Sequence, residues 1–454
     1  MAGPMILGIG AIILFNVVDT IFVGRLGADA LAAMSFTFPV TSIVMSLAQG
    51  LGLGLTSVVS RLLGEGDTDS ARRVTTHGLL LANTLVVIVA IAGFFSIEPV
   101  FALVGAPPEL MEMIGEYMKP WYLAIGFLVI PMLGNGAIRA SGDTKTPSFV
   151  MLSAGLVNVL LDPILIFGFG PVPAMGLAGA AYATAASWTV VFFLTLYIMG
   201  RRLRIIELAW HGFAELFDSW KRILHIGLPA AGTNLLVPVS SGMVTRLVAS
   251  YGSAAVAAYG VGLRLESLGL IGIFSLSMAV TPFVGQNFGA QFSDRVREAV
   301  NFCAKAGLAY GLGVALVYGL GAHWLALAFS DEASVRELVQ TYLWILPITW
   351  GSYGLALMVN SVYNAMDRPL YSSGLIVVRL FALILPLAYL GSYLAALEGL
   401  FAGLATANLC IGALAWFTMR RFLTSAEAEP MRFTGSKATR PPAHHRETTP
   451  PLTH

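Results

Sequence analysis

Asp162 stands inside "NVLLDPILIFGFG", the stretch from Asn158 to Gly170, with no other charged residue beside it. When so apolar a run crosses a membrane, an ionisable group within it marks a path for an ion, a proton or a substrate. Asn158 precedes Asp162 by four residues, so the two side chains share one face of a helix. Pro163 follows at once. Having no N–H, it leaves the carbonyl of Val159 without a helical donor and kinks the helix beside the carboxylate. Asp19 in "NVVDTIFVG", Glu266 in "RLESLGL" and Arg379 in "IVVRLFALIL" also lie in apolar surroundings. Two buried carboxylates can hold a hard cation or share one proton. Glu266 and Arg379 read as an ionic pair between helices, or as a site for proton relay or substrate charge.

The elements that must position these groups follow from composition. The chain has 454 residues, 57% hydrophobic and only 11% charged, where soluble proteins carry about 25% charged residues. Apolar runs of roughly twenty residues recur from end to end, the length that crosses a hydrocarbon core. They do not alternate residue by residue, which excludes a transmembrane β-barrel. The fold class expected is an all-α polytopic membrane protein of about twelve transmembrane helices. The spans lie near 4–23, 35–58, 76–104, 112–140, 147–169, 177–200, 225–249, 256–287, 298–329, 336–365, 372–395 and 398–420. The first run has no basic leader before it and reads as a retained span.

Lys and Arg collect in alternate loops, at Arg61, Arg72 and Arg73, at Arg139 and Lys145, and from Arg201 to Arg222. Arg295, Arg297, Arg368, Arg420 and Arg421 continue the series, which puts both termini in the cytoplasm. The division expected is a first six-helix lobe (1–204), an amphipathic interfacial connector (205–224), a second six-helix lobe (225–422) and a disordered cytoplasmic tail (423–454). The connector, "ELAWHGFAELFDSWKRIL", places Trp210, Phe213, Phe217 and Trp220 three or four residues apart, on one helical face.

The halves repeat. "RLGADALAAMSF" and "SYGSAAVAAYGV" align at the same offset as "SRLLGEGDTDSARRV" and "GQNFGAQFSDRVREAV", with Gly64 over Gly289 and Arg72 over Arg297. Equal span parity makes the repeat parallel, an anatomy of transporters. A net charge of +1 points to no nucleic-acid partner, and Cys303 and Cys410 form no disulfide or metal framework. The glycines of "AQGLGLGLTS" lie inside a span after no strand, so they serve helix packing and not phosphate binding.

At this point the chain resembles the multidrug and toxic compound extrusion (MATE) family, in its DinF-type branch. The likeness rests on "NVVDTIFVGRLGADALAA", "GAIRASGDTKTP", "NVLLDPILIFGFG" and "YGVGLRLESL…VGQNFGA". It implies two six-helix lobes around a V-shaped cleft in a bacterial or archaeal plasma membrane. It also implies export of small amphipathic or cationic compounds by a monomer, driven by entry of Na+ or H+, with no cofactor and no catalysis. The family's cation site carries over onto Asp19, Asn135, Asn158, Asp162 and Thr184. Pro4 matches a first-helix proline whose bending accompanies cation binding in some members. No acidic residue lies in span seven or span ten, leaving Glu266 as the main buried acid of the second lobe.

The set is entirely oxygen-bearing and suits Na+ as well as a shared proton, and the residues do not choose between them. Two other readings were weighed. A flippase for lipid-linked glycans needs a cation-rich cleft, and Arg264 and Arg379 are few. An intramembrane aspartyl protease would use the same two aspartates, but Asp162 follows "VLL" where those enzymes carry a Gly-x-Gly-Asp motif.

Overall fold

A computed structural model describes residues 2–428. Its first half contains α1 (Ala2–Gly24), α2 (Ala28–Gly64), α3 (Thr68–Phe95), α4 (Ile97–Val104), α5 (Met111–Ala140), α6 (Lys145–Phe167) and α7 (Gly176–Tyr197). The second half contains α8 (Phe213–Ala249), α9 (Ser253–Gly269), α10 (Ile271–Gly289), α11 (Ser293–Phe329), α12 (Ala333–Ile345), α13 (Pro347–Ala365), α14 (Pro369–Val377) and α15 (Leu385–Ala428). Among the described residues the regular elements are all helical.

Among the described residues nine helices are long and apolar enough to cross a membrane, or ten when α12 and α13, bent by 52°, count as one span. Twelve spans emerge once two features are added. α1, 23 residues long, counts as one more span, and the segment Pro369–Thr424 counts as two. Ala395 and Ala396 leave helical geometry there, so α15 folds back on itself. Gly391 meets the carbonyl of Gly399 and Gly403 meets that of Leu387 across this hairpin, an approach that any larger residue would prevent.

Two separate cores form. One runs from Val23 to Ile226 and the other from Val244 to Leu423. Small residues let the backbones close up. Gly50 and Gly54 of the "AQGLGLGLTS" run face the carbonyls of Gly227 and Ile223 on α8. The first part of α8 therefore belongs to the first core and its last turns to the second.

The connector differs from expectation. Residues 204–212 are not helical, and the segment from Phe213 continues into span seven as the single helix α8. The connector is docked on α3: Trp220 Nε1 donates to the His77 carbonyl at 2.9 Å, His77 Nδ1 meets Ser219 Oγ at 2.9 Å, and Arg73 pairs with Glu215 at 3.4 Å. These bonds satisfy polar groups that a free surface helix would leave to water. Trp210, Phe213 and Phe217 stay exposed. α15 also runs past Leu423, where the tail was expected to begin, and the rest of the tail lies outside the described residues.

The lobes meet at the Arg- and Lys-rich end. Arg61 Nη1 donates to the Ala365 carbonyl at 3.2 Å, and Gln286 Nε2 donates to the Ala140 carbonyl at 2.7 Å. Both donors and both acceptors correspond under the constant offset of the repeat. Gly64 packs against the Gln286 carbonyl and Gly289 against that of Arg61, repeating the same two-fold relation in the backbone.

Candidate functional site

α1, α6 and α7 bring four of the five expected residues together. Asp162 is fully buried on α6. Asn158 Nδ2 donates to Asp162 Oδ1 at 3.2 Å and reaches Thr184 Oγ1 on α7 at 3.4 Å. Asp19 comes from α1, which packs on α6, and its carboxyl lies close enough to that of Asp162 for the two to interact. Two ionised carboxylates repel one another there, so the contact holds when a proton is shared or a cation sits between them. Asn135 does not join them: its neighbour Gly134 on α5 packs against Thr195 and Met199, eleven and fifteen residues beyond Thr184, so Asn135 lies roughly 16–22 Å along the helix from the other four.

Asp19 Oδ1, Asp162 Oδ2 and Asn135 Oδ1 are buried without a hydrogen-bond donor. Buried acceptors left bare are costly and are rare unless something binds them. Asp19 Oδ1 and Asp162 Oδ2, on adjacent helices, form a pair of acceptors suited to a positive particle. Among the described residues no group of three or more His, Cys, Asp and Glu side chains is placed to hold a metal ion. With only two carboxylates and otherwise neutral oxygens, the set fits a monovalent cation or a proton.

Packing fixes the geometry. Phe15 of α1 fills the notch left by Gly155 of α6, which sets how near Asp19 comes to Asp162. Pro163 lies within α6, which continues as a helix to Phe167. Pro4 falls in the first turn of α1, where the absent N–H would have no intrahelical partner, and α1 runs on as one helix to Gly24. Tyr117 of α5, deeply buried, lies close enough to both carboxylates to feel their charge. Sequence reasoning missed it, since a tyrosine within an apolar span carries no mark of its own.

The second lobe holds another polar group, arranged differently from expectation. Glu266 Oε2 accepts from the Tyr342 hydroxyl at 2.8 Å. Arg379 forms no ion pair with it. Its guanidinium lies 3.7 Å from the centre of the Tyr353 ring and donates to Asn408 Oδ1 at 3.4 Å. The expected Glu266–Arg379 contact therefore gives way to an aromatic and an amide partner. Arg379 Nε is buried and unpartnered.

The MatE family model matches residues 4–164 and 229–390, once on each half. The chain belongs to the MATE family. This MATE protein is a multi-pass membrane transporter and not an enzyme. It is 36% identical over 428 residues to the FAD transporter of Shewanella oneidensis, covering 94% of this chain and 95% of that one. It is 26% identical over 417 residues to the multidrug export protein MepA of Staphylococcus aureus, covering 90% and 89% of the two chains. Its fold matches the crystal structure of the Vibrio cholerae MATE transporter VcmN in the bent form. The TM-score is 0.89 and the identity 30%, covering 94% of this chain and 96% of that one. An outward-facing multidrug resistance MATE transporter of the MOP superfamily also matches at a TM-score of 0.89 and 25% identity, with 94% and 96% covered.

Proposed function

We propose that this MATE transporter exports small amphipathic or cationic compounds by antiport with Na+ or H+, and that Asp19 and Asp162 carry the coupling ion. The observation behind this reading is the neighbouring pair of carboxyls, each with one oxygen buried without a donor. Asn158 and Thr184 complete the oxygen set, and Tyr117 borders it on the α5 side. With the basic loops in the cytoplasm, the lobe contact through Arg61 and Gln286 seals the cytoplasmic end. An ion held more tightly in one lobe arrangement than in the other then drives the exchange, because cargo favouring the opposite arrangement displaces it.

Purified protein in liposomes, given a sodium gradient or a proton gradient separately, tests the proposal. One of the two is expected to drive uptake of a cationic dye. Equal transport with both gradients collapsed would refute it.

A second reading concerns cargo. The relative named as an FAD transporter is 36% identical over nearly the whole chain, and Arg379, with a buried Nε–H left over, suits anionic cargo better than cationic. Export of a flavin dinucleotide is therefore the alternative. Accumulation of FAD in inverted vesicles under the driving gradient tests it.

A further inference from the structure

We propose that the second lobe carries an anion-binding site centred on Arg379, the two-fold counterpart of the first-lobe acid site with its charge reversed. It takes the phosphate or carboxylate of an amphipathic transported compound. This deepens the transport reading given above and rests on it.

The equivalence is structural. Gly179 of α7 packs on the Leu165 carbonyl of α6, and Gly403 of α15 packs on the Leu387 carbonyl in the same way. Thr184 lies five residues after Gly179, and Asn408 lies five after Gly403. Asn158 lies seven residues before Leu165, whereas Arg379 lies eight before Leu387. A π-helical segment, Val378–Ile384, absorbs the extra residue. Such segments are rare and occur frequently at functional sites. The wider turn brings Arg379 round to the place that Asn158 holds, and each donates to its partner at 3.4 Å, Thr184 in one lobe and Asn408 in the other.

The acids have no counterpart. Ile384, three residues before Leu387, replaces Asp162, three before Leu165. Asp19 precedes the positive-φ Gly27 by eight residues, and Val244 precedes the positive-φ Gly252 by the same interval. Val244 is buried in the apolar core. One lobe thus offers carboxylates and bare oxygens, the other a guanidinium with an N–H unused.

The guanidinium is preorganised. Tyr353 fixes its plane, and Asn408 is itself held by donating to Thr349 Oγ1 at 3.2 Å. Arginine presents a planar fork that matches phosphate and carboxylate oxygens, and the buried Nε–H, left without an acceptor, is satisfied when such a group arrives. Glu266, the nearby acid, accepts its hydrogen bond from Tyr342 and none from Arg379, whose charge it nevertheless feels.

Equilibrium binding to the purified full-length protein in detergent, followed by flavin fluorescence without any gradient, tests the site. The probes are flavin mononucleotide and riboflavin, which share a ring and differ by one phosphate. Wild type is expected to bind the phosphate form about tenfold tighter, as a charge-assisted hydrogen-bonded pair implies. Arg379→Met should remove that preference, and Arg379→Lys and Asn408→Ala should each reduce it in folded, monodisperse protein. Asp162→Asn should leave it intact, which separates failure of this site from failure of ion coupling. Equal binding of the two probes by wild type, no binding of either, or a preference surviving in all three variants at 379 and 408 would overturn the proposal.

Discussion

Arg61 in the first lobe holds Asp367 in the second at 3.1 Å, and the same guanidinium donates to the Ala365 carbonyl one helical end away. Gln286 repeats the carbonyl contact in the opposite direction, onto Ala140. Asp367 takes a left-handed backbone conformation, φ 61°, at the point where Gly142 has φ 94° in the first lobe. The repeat has thus kept the turn geometry in both copies and added a charge in one. Replacing Arg61 with Ala removes both contacts, and loss of a hydrogen-bonded pair with its arginine buried and its aspartate partly exposed costs about 1–3 kcal/mol. Spin-label distances between the lobes should shift toward an arrangement parted at this end, while Arg61→Lys should retain part of the contact.

The neighbouring glycines make a steric version of the same prediction. A side chain at Gly64 would meet the Gln286 carbonyl, and one at Gly289 the Arg61 carbonyl. Gly64→Val should disfavour this lobe contact by about 1–3 kcal/mol, the usual cost of overpacking. Increased labelling of a cysteine introduced at Ala140 would report the opening. Unchanged labelling would show that α2 and α10 have room to shift.

Asp162→Asn keeps shape and removes a charge. Ion-driven efflux is expected to fall by at least about tenfold, the change that accompanies loss of roughly 1.4 kcal/mol of differential ion binding, with membrane insertion unaffected. Asp19→Asn should impair efflux more than Glu266→Gln, because Glu266 faces a tyrosine and not a second acid. The reverse order would move coupling to the second lobe.

Asp143, in the turn between α5 and α6, supplies a pH dependence. Burial tends to raise its carboxyl, but hydrogen bonds from the Thr146 hydroxyl and from the Thr146 and Lys145 N–H groups outweigh burial and hold it below 3.8. A lowered acid stabilises the folded form above its ordinary value and loses that effect as pH falls through the lowered one. Amide protection at Lys145 and Thr146, corrected for intrinsic exchange, should therefore persist down to 3.8 and collapse only below it. Asp143→Ala should lose the protection at every pH.

Much of this was legible because it is local or periodic. Hydropathy marked the spans, the loop motifs marked the repeat, and the spacing of Asn158 and Asp162 put both on one helical face, where they now bond. What escaped depends on contacts between distant segments. Arg61 read only as a basic loop residue, yet it crosses to the other lobe. Tyr117 became part of the site because α5 packs beside α6. The π turn at Val378–Ile384 leaves no mark in an apolar run, and it holds Arg379, which meets Asn408 instead of Glu266. The connector's aromatic spacing was compatible with a separate helix, but bonds to Thr76 and His77 on α3 tie it down.

The central claim is that the Asp19–Asp162 pair releases a positive particle when cargo is taken up. Purified protein in weak buffer, saturated with cargo while released protons or sodium ions are recorded, tests it most directly. Stoichiometric release from wild type, absent in Asp162→Asn and retained in Glu266→Gln, is the expected result. Cargo binding without any release, or release that persists in Asp162→Asn, would contradict it.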